Sequence, residues 1–240
     1  MVHRFLSATD TERVYGTLRK LAPHDTSQWA LTGGLAVEIH RLRHGVPPAT
    51  RGLNDIDFVT AAFAGIPETL ADDFLFRHVH PHDPPGKTIL QFIDPSARLR
   101  VDLFRACGDT MSRTISVKLP SGPVRLVAIE DLVARAARLL LDLTDEVPVA
   151  SKHADDYLRL AALADPAAVE EAWPDHRRPS HPISFREADE LIRRMIPTRS
   201  HLLVTPQYSQ DVSAVCPRCV STPLFPLADA KVVLSLIGYC

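Results

Sequence analysis

The chain has 240 residues, room for one large domain or two small ones, and 45% of them are apolar, enough to build a core. A net charge of −2 leaves no basic excess, which argues against nucleic-acid binding driven by charge alone. No apolar run approaches the roughly 20 residues that cross a bilayer, residues 1–10 hold no signal-peptide core, and four cysteines are too few for a disulfide framework, so a soluble cytoplasmic protein is expected.

In chain order, the periodicity predicts a helix over Thr9–Leu21, with Thr9 or Asp10 as its cap and Val14, Leu18 and Leu21 on one face. A short strand, Trp29–Thr32, stops at Gly33-Gly34, and a helix over Leu35–Arg43 follows, with Leu35, Ile39 and Leu42 at helical spacing. A proline-rich loop over Gly45–Gly52 leads into a strand, Leu53–Thr60. Pro67–Phe76 reads as a helix and His78–Gly86 as a Pro/His loop. Thr88–Ile93 and Leu99–Phe104 are apolar runs joined by Asp94-Pro95-Ser96-Ala97, a hairpin signal. Ile115–Leu119 and Val124–Val127 make a second hairpin across Pro120-Ser121-Gly122. Amphipathic helices are predicted over Ile129–Leu143 and Ser151–Leu163. From Asp165, Pro166, Pro174, Pro179 and Pro182 punctuate a linker-like stretch. Ser184-Phe185-Arg186-Glu187 then has the pattern of a capping box, opening a helix through Ile196.

The chemistry concentrates in two strands. Side chains alternate along a strand, so Asp55 and Asp57 project from one side, while Ile56 and Phe58 project from the other and can bury. Asp102, between Val101 and Leu103, offers a third carboxylate from a second strand. Buried like charges are costly without a cation, and three carboxylate ligands suit a hard ion such as Mg²⁺ that also meets substrate phosphates. The Gly33-Gly34 pair opens a helix, which lets backbone N–H groups approach a phosphate; taken alone it is also an ordinary tight turn.

Together, Thr32-Gly33-Gly34-Leu35-Ala36, Arg51-Gly52-Leu53-Asn54-Asp55-Ile56-Asp57-Phe58 and Val101-Asp102-Leu103-Phe104 resemble the polymerase-β-like nucleotidyltransferase superfamily. The likeness covers residues 28–163 and is nearest to its abortive-infection type IV toxin-like branch, with antibiotic nucleotidyltransferases as cousins. The resemblance implies an α/β (α+β) fold, a small mixed sheet flanked by helices over residues 1–145, with a mostly helical region over 146–240 closing over the nucleotide. It implies that Asp55, Asp57 and Asp102 hold one or two Mg²⁺ ions, and that Gly33 and Gly34 contact a nucleoside triphosphate. Arg51 would add charge near phosphate, where it also reads as a plain surface arginine. Lys152 would bind phosphate, oriented by Asp155 or Asp156, although Lys152, Asp155, Asp156 and Arg159 also read as a salt-bridged helix face. The implied reaction moves a nucleoside monophosphate to an acceptor hydroxyl on RNA (a tRNA end), a protein or a small molecule. The toxin-like branch adds a cognate antitoxin as partner. A catalytically silent nucleotide-binding module is the non-enzymatic alternative, and a metal-dependent phosphodiesterase or nuclease a further rival.

Three further signals are weaker. Pro85-Gly86-Lys87-Thr88 ends like a phosphate loop but lacks the earlier glycine, Pro81 standing there. His78, His80 and His82 would share a face on a strand, yet Pro81 and Pro84 favour a loop. Cys216 and Cys219 have the spacing of half a structural zinc site, with Cys240, His201 or Cys107 as further ligands, and read equally as two reduced cysteines.

Overall fold

The computed structural model describes residues 1–50, 52–53, 55–63, 65–80 and 89–205. Helix α1 (Ala8–Leu21) starts a residue or two ahead of the expected cap, because Ser7, not Thr9 or Asp10, accepts the hydrogen bond from the Asp10 N–H. Strand β1 (Trp29–Thr32) runs straight into α2 (Gly33–Arg43), so the glycine pair forms the first helical turn. Then come β2 (Asp55–Thr60), the single turn α3 (Leu70–Asp73), β3 (Leu75–His80), β4 (Ile89–Asp94) and β5 (Leu99–Arg105). The second hairpin, β6 (Ile115–Leu119) and β7 (Gly122–Leu126), precedes α4 (Ile129–Leu140) and a 3₁₀ turn over Leu141–Asp145. The two-residue strand β8 (Val149–Ala150), α5 (Ser151–Ala161), α6 (Pro166–His176), α7 (Phe185–Thr198) and β9 (Leu203–Val204) complete the described chain.

Seven strands form one twisted layer in the order β3-β4-β5-β2-β1-β7-β6. Four pairings are antiparallel; β2–β5 and β1–β7 are parallel. This is the expected mixed α/β architecture, a mostly antiparallel sheet flanked by helices. One sheet face is apolar: Ile56, Phe58, Leu90, Phe92, Val101 and Leu103 are buried there, and Trp29 packs its ring 5.8 Å from those of Phe58 and Phe92. Helix α1 is fastened to the far end of the β4–β5 hairpin, where Thr17 donates to Asp94 at 2.8 Å and Lys20 pairs with the same carboxylate at 2.8 Å. Helices α2 and α4 pack with each other, and α5, α6 and α7 gather around α4. No helix among the described residues is long and apolar enough to cross a membrane.

Three segments differ from expectation. The helix read over Pro67–Phe76 shrinks to Leu70–Asp73, because Leu75 and Phe76 pair with Ile93 and Phe92 on β4. The Phe74 ring then meets Phe92 edge-on at 5.2 Å. Packing against a neighbouring strand overrides a helical local pattern here. Residues His78 and His80 lie on β3 and not in a loop, while His82 lies outside the described residues. The stretch after Asp165 is a helix, α6: Pro166 occupies the first turn, where its missing N–H costs nothing, and Asp165 caps it through the Ala167 N–H at 3.0 Å. Pro174 sits near the helix end and is tolerated because Trp173 is fully buried beside it, its indole N–H donating to Pro182 O at 3.0 Å. The capping serine of α7 forms as expected, Ser184 Oγ accepting from the Glu187 N–H.

Candidate active site

Strand register decides where the carboxylates stand. In the parallel pair β2–β5, Asp57 lies opposite Asp102 and Asp55 opposite Arg100. All four therefore rise from the same sheet face, opposite the apolar one. Asp55, Asp57 and Asp102 each offer a carboxylate oxygen, and these oxygens all lie within 4.8 Å of one another. Asp102 is buried at 5% exposure, whereas Asp55 and Asp57 keep an opening to solvent.

Three acidic groups so close repel, and the protein meets that repulsion with Arg100. Its guanidinium ion-pairs and hydrogen-bonds with Asp55, and its Nε lies 3.3 Å from Asp102 Oδ1. Sequence reasoning missed this arginine, yet the signal was there: Arg100 is two residues before Asp102, on the same strand parity as the acid. One arginine does not suffice. Protein surrounds the Asp57 carboxyl closely, so burial first and the Asp55 charge second push its pKa well above the ordinary carboxylate range, against Arg135, Lys152 and Arg100. Burial likewise drives Asp102 upward, with Asp57 and Asp55 adding to it, against Arg100 and a hydrogen bond from Gln91 directly across on β4. Asp102 Oδ1 is buried with no hydrogen-bond partner. A buried carboxylate oxygen that makes no hydrogen bond, its 3.3 Å approach to Arg100 Nε being an ion-pair contact alone, inside a cluster of three converging carboxylates, is a donor set that fits a hard divalent cation.

The glycine turn is built against this cluster. Thr32 pairs with Asp57 across β1 and β2, so the next residue, Gly33, lies beside the Asp57 side chain. Gly33 adopts φ +64°, and a Cβ there would stand 1.8 Å from Asp57 Oδ2. Only glycine satisfies both demands. With Gly34 it forms the first turn of α2, which carries no acidic residue and no side-chain cap from Thr32. A helix N-terminus of that kind attracts anions through its N–H groups.

Two cations bear on the same place from neighbouring helices. Arg135 of α4 lies 4.9 Å over the Phe104 ring, reaches Thr32 Oγ1 at 3.4 Å and acts electrostatically on Asp57. Lys152, exposed in the first turn of α5, also acts on Asp57. Asp155 and Arg159 are exposed with it, but Asp156 is buried, so the four do not form one solvated face. Arg51, Cys216, Cys219 and Cys240, together with Pro85-Gly86-Lys87-Thr88, lie outside the described residues. Cys107 and His201, the two other suggested zinc ligands, are described, and Cys107 sits in a different network, with Arg138 Nη1 3.9 Å from its sulfur.

That network runs between helices α4 and α6. Asp131, fully buried on α4, accepts from Arg113 Nε at 2.9 Å and Nη2 at 2.8 Å, from Thr110 Oγ1 at 3.0 Å and from the ring of His176 at 2.8 Å. Burial alone would push the Asp131 carboxyl up, but hydrogen bonds from Arg113 and His176 hold it well below the ordinary range. Burial lowers His176, and its bonds to Asp131 and Cys107 more than reverse this.

No protein-family model and no curated protein matches the chain. Among solved structures, the chain is similar to an antigenic nucleotidyltransferase-like protein from Paracoccidioides brasiliensis (16% identity, 84% of this chain and 96% of that one, TM-score 0.40). It is also similar to the antibiotic-resistance factor ANT(2'')-Ia in its solution structure (15% identity, 80% of this chain and 99% of that one, TM-score 0.44). The same factor in complex with adenylyl-2''-tobramycin gives 14% identity, 80% and 98% coverage and a TM-score of 0.41. These neighbours are nucleotidyltransferase folds; the functional reading is carried by the site.

Proposed function

We propose that this protein is a Mg²⁺-dependent nucleotidyltransferase, moving a nucleoside monophosphate from a nucleoside triphosphate to an acceptor hydroxyl. The observation that carries this reading is the convergence of Asp55, Asp57 and Asp102 within 4.8 Å, directly against the glycine turn that opens α2. In this reading Gly33 and Gly34 present backbone N–H groups to the triphosphate. Lys152 and Arg135 supply positive charge toward its phosphates. Asp55, Asp57 and Asp102 hold Mg²⁺, which when bound neutralises phosphate charge and lowers the barrier to in-line displacement. Asp102 receives the proton of the acceptor hydroxyl. The acceptor oxygen forms a bond to the α-phosphorus, the α–β phosphoanhydride bond breaks, and pyrophosphate leaves.

The acceptor is a macromolecular hydroxyl, on RNA or protein, with a cognate antitoxin as partner. That part rests on the sequence motifs of the toxin-like branch. The test is incubation of the purified chain and Mg²⁺ with each labelled nucleoside triphosphate in turn, in a cell extract separated into RNA, protein and small-molecule fractions. Label in RNA or protein, lost with Asp57→Ala, supports the reading. Label confined to small molecules overturns the macromolecular acceptor and keeps the reaction. Label that persists in Asp57→Ala overturns the metal-site assignment. If no fraction is labelled and Mg²⁺ adds nothing to thermal stabilisation by nucleotide, the protein is a silent module.

A further inference from the structure

We infer that Cys107 is a peroxide-reactive thiol, a modification site served by a relay of Asp131, His176 and Cys107. None of the three belongs to the acidic cluster, and the site stands whether or not the chain transfers nucleotides. Cys107 lies two residues past β5, just after the Ala106 N–H donates to Thr60 O at 2.8 Å. Its carbonyl accepts from the Thr110 N–H at 3.0 Å, closing a tight turn. That turn is clamped from α6, where Asp175 Oδ2 accepts from the Asp109 N–H at 2.9 Å. Gly108, at φ +43°, makes the clamp possible, since a Cβ there would stand 2.0 Å from Asp175 Oδ1. From α4, Asp131 accepts from Thr110 Oγ1 in the same turn. The thiol is therefore fixed between two helices.

His176 meets this thiol from α6. The residue is 4% exposed, its Nε2 is bound to Asp131 at 2.8 Å, and its Nδ1 is buried without a well-aligned hydrogen bond. Asp131 and Cys107 are the groups that bear most strongly on this ring, which leaves Nδ1 for the sulfur. Arg138 Nη1 stands 3.9 Å from that sulfur. Burial raises the thiol pKa, but His176, Arg138 and Arg135 more than offset this and lower it. Burial lowers His176, and Asp131 and Cys107 more than reverse that. Both directions favour a thiolate beside an imidazolium. Cys107 is only partly exposed, so a small electrophile suits it, and a hydroperoxide also uses what His176 offers, a proton for the departing oxygen. The thiolate sulfur attacks one peroxide oxygen; an S–O bond forms and the O–O bond breaks. The sulfur is oxidised to sulfenic acid and the peroxide is reduced, its leaving oxygen taking the His176 proton and departing as water or an alcohol. Asp131 holds the imidazolium until that transfer.

The test uses the full chain, reduced and then freed of reductant, with hydrogen peroxide at about pH 7 and excess dimedone, which traps sulfenic acid. Peptide mass mapping follows loss of the Cys107 thiol and growth of its dimedone adduct. An ordinary thiol, with a pKa of about 8.5, is about 3% ionised at about pH 7. A largely ionised Cys107 gains about thirtyfold in thiolate and gives part of that back in lower nucleophilicity. Cys107 should therefore be oxidised about fivefold faster than free cysteine, or better. The rate should fall to that of free cysteine in His176→Gln, whose amide can keep the donation to Asp131 but has no counterpart of Nδ1. Far-UV circular dichroism and the urea midpoint establish that this variant is folded. Oxidation no faster than free cysteine, thiol loss without the adduct, or an undiminished rate in folded His176→Gln overturns the inference. If His176→Gln fails to fold, the difference in ultraviolet thiolate absorbance between wild type and Cys107→Ser decides. A thiolate signal present at about pH 7 supports the inference, and one that appears only above about pH 8.5 overturns it.

Discussion

Replacing Gly33 with alanine should damage stability and site together, because two constraints meet at that residue. The first is backbone. At φ +64°, an L-residue incurs about 1–2 kcal/mol relative to its ordinary conformations. The second is contact. The added Cβ would lie 1.8 Å from Asp57 Oδ2, 2.6 Å from Cγ and 2.8 Å from Cβ. Turning the carboxylate away relieves the first two of these contacts and leaves the third, so β2 or the turn itself must shift. Forced repacking of that kind costs about 1–3 kcal/mol, which brings the total to about 2–5 kcal/mol. The assay is equilibrium unfolding in urea with EDTA present, on wild type, Gly33→Ala, Asp57→Ala and the double variant. In the Asp57→Ala background the carboxylate is gone, and Gly33→Ala should cost less by about 1 kcal/mol or more, a coupling that reports the contact directly. Nucleotidyl transfer by Gly33→Ala should fall about 100-fold or more, since a metal ligand has been displaced by over an ångström. The reasoning is refuted if Gly33→Ala changes stability by less than about 0.5 kcal/mol, the range of an ordinary surface substitution. It is equally refuted if the cost is the same with and without the Asp57 carboxylate.

The Asp131 network predicts a pH profile. Asp131 is held below its unfolded pKa, so its contribution is present above about pH 4 and is lost as pH falls through the native value. His176 is held above its unfolded pKa, so its contribution is present below about pH 6.5 and is lost as pH rises through the native value. The stability difference between wild type and Asp131→Asn, read from urea midpoints, should therefore peak between about pH 4 and 6.5, at about 3 kcal/mol for a broken buried pair, and shrink on both sides. Lys152→Ala should raise KM for the nucleoside triphosphate about tenfold with kcat little changed, the loss of one charge-assisted contact to phosphate, measured by steady-state transfer kinetics. Cys107 should be alkylated readily by iodoacetamide near neutral pH. Burial raises its thiol pKa, but His176, Arg138 and Arg135 more than offset this and lower it, and the residue is partly exposed. Peptide mass mapping should find labelling of Cys107 slowed about tenfold in His176→Ala.

What the sequence made legible was whatever two neighbouring residues can decide. Alternation placed Asp55 and Asp57 on one face and Ile56 and Phe58 on the other, and the structure keeps that division. The Gly-Gly pair marked the strand-to-helix turn, and Asp94-Pro95-Ser96-Ala97 marked a hairpin that is present as β4–β5. Where a distant partner decides, local reading failed. Phe76 has a helical neighbourhood in sequence and joins a strand because Phe92 lies across from it. Pro174 reads as a break, yet burial of Trp173 keeps the helix. Asp131 and His176 stand 45 residues apart, and nothing in either segment announces the other. Arg100 shows the same division inside the site. Its parity with Asp102 is local and could have been read, but its ion pair with Asp55 depends on the parallel register of β2 and β5, which no short motif encodes. Ligand identity is thus written along the strand, while the net charge of the site is set across strands.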